Sequence, residues 1–337
     1  MNKKITRLLG NQWGQRATIL VIILAIMAIF QQKFFWLDNV NSILLAVSIC
    51  GMMACGMLFV VVIGGIDLSV ASTAALAGAV LSIFVSQGEY STESFLVGLF
   101  VSIAICIAIG ILHGTMVVFF SFPPFIVTLA TSYILLGIVQ LVTKASFIYH
   151  RTIGIFYFIG NAKILGIPLP IILFVITALI SAFILGCTTF GRRLYAIGDN
   201  RNAAKTVGIR IEINTIIAYI IASISAGLGG IVLVSMNMMS GTSTAGGYVG
   251  NVLTAIVVGG VNLTGGEGSV PNAVFGALLV GIINNCLILI GVPSEYQKFV
   301  QGVIIISAIA LNMYTSRLSQ GITGIKRKKN NNDLRTN

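Results

Sequence analysis

The chain has 337 residues, 57% of them hydrophobic and 9% charged, with a mean hydropathy of +1.01 and a net charge of +11. A soluble domain carries about a quarter charged residues. A soluble fold is therefore excluded, because the apolar residues gather in blocks long enough to cross a hydrocarbon layer of roughly 30 Å as helices. Nor does the positive charge point to nucleic acid: most of the Lys and Arg fall in three clusters, Lys3 to Arg16, Arg192 to Arg210 and Arg317 to Arg335. Short basic segments between spans mark the cytoplasmic side of a membrane protein.

Apolar segments lie at 17–36, 41–63, 70–87, 95–120, 125–143, 168–189, 215–236, 251–261, 270–291 and 296–315. The expected fold is all-α, a polytopic membrane protein of about ten transmembrane helices. Residues 1–16 form a basic cytoplasmic N-terminus. The first span ends in Gln31, Gln32 and Lys33 and is followed by Phe34, Phe35 and Trp36, an interfacial aromatic anchor without a small-residue cleavage pattern. An even span count puts both termini on one side, in agreement with their charge, and six spans put the loop 190–214 there too. One feature of the sequence dissents: the loop 144–167, on the opposite side, carries Lys144, Arg151 and Lys163 without an acid. The permease body is expected over 17–316. The tail 317–337 is polar, expected to be disordered, and placed to meet anionic lipid.

Two glycine motifs interrupt the apolar pattern, "VVIGGIDLSVAS" at 61–72 and "IVVGGVNLTGGEGS" at 256–269. In the first, Gly64-Gly65 turns the chain, and Asp67 or Ser69 caps the helix that follows. A carboxylate inside a bilayer costs at least about 2.5 kcal/mol unless it faces a partner or a wet cavity. The second motif offers the neutral Asn262 and Thr264, and Asn284 and Asn285 add amides on a later span, where interhelical hydrogen bonding is an equal explanation. Asp67, Ser69, Asn262, Thr264, Asn284 and Asn285 are thus the candidates for a solute path. Carboxylate, amides and hydroxyls without lysine suit a neutral polyhydroxyl solute better than an anion. Segment 251–261 is too short to span and reads as a half-helix, with 270–291 resuming after the break. Broken helices at related positions in two halves point to a solute route; both a parallel and an inverted repeat remain open.

Other chemistry is missing. Neither glycine-rich stretch is followed by Lys-Ser or Lys-Thr at P-loop spacing, so no nucleotide site is expected. His113 near a span end and His150 in a loop have no partners at metal spacing. The five cysteines form no C-x-x-C pair and read as small hydrophobes. The chain is expected to be no enzyme and to hold no metal or cofactor of its own. In "FGRRLYAIGDNRNAAKTVGIRIEIN", residues 190–214, Asp199 or Asn200 caps a short helix that Gly208 ends. Small Ala203 and Ala204 allow close approach to another surface. The helix either lies at the interface or plugs into a partner protein.

Three stretches, "GGIDLSVAS", "GDNRNAAKTVGI" and "VVGGVNLTGGEGS", with the ending "LIGVPSEYQKFVQGVIIISAIALN", stand in one order and spacing. Together they resemble the membrane-spanning permeases of ribose-type sugar ABC importers. The resemblance implies a ten-span subunit of the bacterial inner membrane, with broken-helix motifs, that carries a monosaccharide. It also implies three partners: a second permease, usually a copy of the chain; a cytoplasmic ATPase that holds the ATP and Mg; and an extracellular sugar-binding protein. Gly198, Asp199, Asn200, Ala203, Ala204 and Gly208 match the loop that docks into the ATPase. Relatives commonly carry acids just before the two alanines, where Arg201 and Asn202 stand here, so an acidic docking contact is not expected. A nucleoside or another small polar solute is an alternative cargo. An ion-coupled secondary transporter, with Asp67 binding a proton or cation, is an alternative class.

Overall fold

The computed structural model describes residues 31–293 and 296–304, with Leu20, Val21, Leu24, Ala25, Met27, Ile306 and Ser307 besides. The expected N-terminus 1–16, the tail 317–337 and parts of the first and last spans lie outside the described residues. The fold is all-α. Its helices are α1 (Leu37–Val62), α2 (Val70–Gln87), α3 (Thr92–Val118), α4 (Pro124–Val142), α5 (Gly154–Asn161), α6 (Leu169–Cys187), α7 (Thr189–Asp199), α8 (Arg201–Thr206), α9 (Ile211–Asn237), α10 (Tyr248–Val258) and α11 (Val270–Leu289). Among the described residues seven of these are long and apolar enough to cross a membrane, namely α1, α2, α3, α4, α6, α9 and α11. The starts follow ordinary capping chemistry. Ser91 Oγ accepts the Ser94 N–H at 3.2 Å ahead of α3, and α4, α6 and α11 each have a proline in their first turn.

The bundle is organised around α9 and α1, which are largely buried, while α4 and α6 lie at the periphery with large apolar side chains exposed. Close approach at glycines fixes the directions. Gly56 of α1 packs on Ala222 and Ser225, and Gly229 packs on Met53, so α1 runs antiparallel to α9. Gly230 packs on Ala74 and Gly78 on Val234, so α2 runs parallel to it. Gly110 meets Ile220 and Gly114 meets Ile216, so α3 is antiparallel again. At one end of the bundle α7 and α8 link α6 to α9; we call this the loop end. At the far end lie α5, a short antiparallel ladder of Ile148–Tyr149 with Met239–Ser240, and a hairpin of Lys163–Ile164 with Ile167–Pro168. His150 there packs against Phe156 at a 4.6 Å ring separation, and burial pushes its imidazole down to about 4.

The same contacts show two matching units of opposite sense. Helix α1, 26 residues long, reaches the loop end; the chain then climbs without helix through 63–69 and starts α2 near Ala226, about midway along α9. Helix α9, 27 residues long, reaches the far end; the chain then descends without helix through 238–247 apart from the two-residue strand, and starts α10. Tyr248, the first residue of α10, lies within electrostatic reach of Cys50, near the middle of α1. Each unit is a full-length helix, an unwound return and a shorter helix born at mid-depth, and the second runs upside down. That is the geometry of an inverted repeat. One expectation is corrected. Residues 270–291 do not resume the path of α10: Gly276 packs on Ala255 and Gly259 on Asn272, so α11 runs back antiparallel. Turn chemistry in 259–269 reverses the chain rather than merely interrupting a span.

Candidate translocation and coupling site

The first glycine motif closes α1 and opens α2. Gly65 N–H donates to Val60 O and Gly64 N–H to Val61 O, both at 2.9 Å, with Gly64 at φ 79°. This is a Schellman closure, whose left-handed residue glycine adopts without cost from a side chain. Two residues after Gly65, the Asp67 side chain accepts the Ser69 N–H at 2.8 Å and the Ser69 hydroxyl at 2.6 Å. Asp67 is 1% exposed. Its charge is offset by these two donors and by the positive end of α2. From α4, Thr128 Oγ1 accepts the Leu68 N–H at 3.1 Å and tethers the rising segment.

The second motif repeats the grammar. Gly260 N–H donates to Val257 O at 2.9 Å and Val261 N–H to Ile256 O at 3.1 Å, with Gly260 at φ 77°. Asn262 Oδ1 accepts the Thr264 N–H at 3.1 Å and the Thr264 hydroxyl at 2.8 Å. The closure uses the second glycine of the pair here and the first at Gly64, so this turn is one residue shorter. Thr264 is exposed and Asn262 partly so. The two motifs meet: Gly266 N–H donates to Val62 O at 2.9 Å, and a side chain on Gly265 would stand 2.7 Å from Gly64 N.

The loop between α6 and α9 is pinned on that junction. A Cβ on Gly198 would collide with both Val62 O and Gly266 N, and Gly266 packs against Asp199. Tyr195 on α7 donates its hydroxyl to Gly268 O at 2.6 Å. Asn200 then caps α8, its Oδ1 accepting the Ala203 N–H at 3.0 Å. Gly208, at φ 81°, ends it as Ile209 N–H donates to Ala204 O at 3.1 Å. The two alanines divide. Ala204 is 3% exposed and packs on Ile197 and Ile211 of its own chain, whereas Ala203 faces out beside Val207, which is 76% exposed. The close approach that the sequence suggests for both alanines is open only to Ala203.

The amides lie elsewhere. Asn285 exchanges hydrogen bonds with Asn39 at 2.8 and 3.0 Å, tying α11 to the start of α1. Asn284 donates to Asn251 Oδ1 at 3.2 Å and accepts from Gln301 at 3.1 Å. The six solute-path candidates are thus not one cluster. Asp67 and Ser69 sit at the root of α2, Asn262 and Thr264 at the loop end, and Asn284 and Asn285 toward the far end. The sequence gives no cue to two further groups near Asp67. His113 of α3 and Tyr219 of α9 are both fully buried, with rings 5.9 Å apart at 70°, and Asp67 lies within electrostatic reach of each. Neither imidazole nitrogen of His113 has a hydrogen-bond partner among the described residues, nor does the Tyr219 hydroxyl, nor that of Ser223 one turn further along α9. Leaving such a group unmade costs about 1–3 kcal/mol. Below them opens a cavity of about 330 Å³, lined among others by Gly64, Gly65, Val117, Thr215 and Tyr219.

Residues 39–309 match the family model described as branched-chain amino acid transport system / permease component. The chain is 34% identical over 297 residues to the ribose import permease protein RbsC of Escherichia coli (strain K12), covering 87% of this chain and 91% of that one. It is 31% identical over 308 residues to the D-allose transport system permease protein AlsC of the same organism, covering 90% and 93%. Against the L-arabinose transport system permease protein AraH it is 31% identical over 319 residues, covering 93% and 94%. No solved structure matches the chain.

Proposed function

The chain belongs to this family of transport-system permease components, and we propose that it is the membrane permease of an ATP-driven importer of a monosaccharide. The likeness to ribose, allose and arabinose permeases over nearly the whole chain supports the sugar class. The ATPase, with its ATP and Mg, is a separate cytoplasmic subunit, and an extracellular binding protein delivers the solute. The loop end then faces the cytoplasm of a bacterial inner membrane with both termini, a placement that the basic clusters support. Asp67, Ser69 and the amides stand along the route without a chemical step of their own.

The observation that carries the coupling is the seat of Gly198 on the Val62–Gly266 junction. Motion of α8 reaches both glycine motifs through one rigid contact, and from there the unwound 63–69 segment that carries Asp67. The ATPase is met by Ala203, Val207 and the exposed Arg201 and Lys205 rather than by Ala204. A second copy of the chain covers the unwound 242–247 segment, where Ser243, Gly246 and Gly247 are exposed. Non-helical backbone at membrane depth is tolerated only when it is buried in protein or lines water, and a path between two copies supplies both.

The test is uptake of labelled ribose, allose and arabinose into vesicles holding the chain with its ATPase and binding protein. ATP-dependent accumulation of at least one sugar is expected, with none by the chain alone. Val207→Glu should lower that uptake at least about tenfold, roughly 1.4 kcal/mol, without changing the thermal midpoint. Accumulation by the isolated chain on an ion gradient would overturn the proposal.

A further inference from the structure

The structure assigns His113 and Tyr219 as positioning residues: they are the partners that Asp67 takes in the second state of the transport cycle, when the 63–69 segment swings on Gly64 and Gly65. This rests on the permease reading above. Buried polar groups in folded proteins are nearly always hydrogen-bonded, and each exception calls for a cause. Several such groups occur among the described residues, and those of His113 and Tyr219 stand together beside the start of the 63–69 segment. His113 is 0% exposed with both ring nitrogens unpartnered, and Tyr219 is 0% exposed with its hydroxyl unpartnered.

The nearby acid is held locally. Both hydrogen bonds described for Asp67 Oδ1 come from Ser69, two residues on, so the carboxylate can exchange them without breaking a bond of its own to another helix. Tyr219 stands close to the hinge, since a side chain on Gly65 would lie 2.9 Å from its hydroxyl. Room exists, because the cavity of about 330 Å³ lies against Gly64, Gly65 and Tyr219. The lever exists as well, because Gly198 and Gly266 press on Val62 O, one residue before the segment begins. A two-state element needs contacts that differ between its states. In this state Asp67 holds the Ser69 turn ahead of α2 and two donors stand idle. In the other, the carboxylate leaves the Ser69 turn and accepts the Tyr219 O–H and a His113 N–H.

Tyr219→Phe tests the assignment, because it removes one oxygen that bonds nothing in this state. In the importer assembled with its ATPase and binding protein, the variant is expected to keep or raise the thermal midpoint of the resting complex. ATP-driven uptake is expected to fall about tenfold. His113→Leu should act in the same direction. With Asp67→Ala, Tyr219→Phe should add little further loss, since both remove the same contact. Unchanged uptake in Tyr219→Phe overturns the assignment. So does a joint fall of uptake and thermal midpoint, or losses that multiply with Asp67→Ala, because a static or water-bridged role gives those results. Failure of the wild-type complex to take up any sugar sinks the permease reading and this inference together; an intact wild type with an indifferent Tyr219→Phe sinks only the inference.

Discussion

The two glycine motifs share a sequence grammar and a backbone geometry, and they differ in what surrounds them. At both, a Schellman glycine ends a helix, and an Asp or Asn oxygen accepts the N–H and hydroxyl two residues on. The first lies in the interior, where its acceptor is a carboxylate at the positive end of an 18-residue helix. The second lies at the loop end, where Thr264 is exposed and the acceptor is a neutral amide. Local sequence sets the turn; burial sets how much its side chain matters. A charged acceptor gains most where water is absent and a helix dipole faces it. At the exposed turn, water offers the same hydrogen bonds.

The largest effect should come from forcing the motifs apart. In Gly198→Ala the new Cβ meets Val62 O and Gly266 N, both backbone atoms that cannot rotate away. The junction must open, and the cost should reach about 3 kcal/mol, the upper end for overpacking. Thermal unfolding in detergent measures it, and a midpoint equal to wild type would show that the junction is not rigid. Asp67→Ala comes next. It strips the buried turn of the acceptor for the Ser69 N–H and hydroxyl, at about 2 kcal/mol for buried donors left unmade, whereas Asn262→Ala should cost about 0.5 kcal/mol or less at an exposed turn. Equal losses at the two positions would break the distinction between them.

Much of this arrangement is legible in the sequence, for a reason specific to each part. Seven long helices follow from apolar blocks, since length and hydropathy are one-dimensional properties. The turns follow from Gly-Gly and Asp or Asn, whose chemistry acts within a few residues. The cap at Asn200 and the stop at Gly208 stand where the sequence puts them. What fails to show is whatever depends on contact at long range. Nothing in "AAK" says that Ala204 turns inward while Ala203 turns out. His113 and Tyr219 are 106 positions apart and meet only because α3 and α9 run antiparallel at close-packed glycines. The return of α11 alongside α10 hangs on the same kind of contact. The unwound 238–247 stretch, the true counterpart of 63–69, shares no motif with it. Likeness of sequence pairs 63–69 with 259–269; likeness of placement pairs it with 238–247.

The finest test exchanges the two acceptors. Asp67→Asn keeps an oxygen for the Ser69 N–H and hydroxyl but removes the charge, so it isolates the interaction with the positive end of α2. That should cost about 1 kcal/mol, within the range for a charge at a helix terminus that is partly shielded from water. The reciprocal Asn262→Asp adds a charge at the exposed turn, where solvent screens it, and should stay within about 0.5 kcal/mol of wild type. Added salt should leave the first change intact, because a buried charge is little screened, and should erase what remains of the second. Thermal midpoints of both variants at low and high salt decide it. Should Asp67→Asn prove as mild and as salt-sensitive as Asn262→Asp, burial would not be what separates the two motifs.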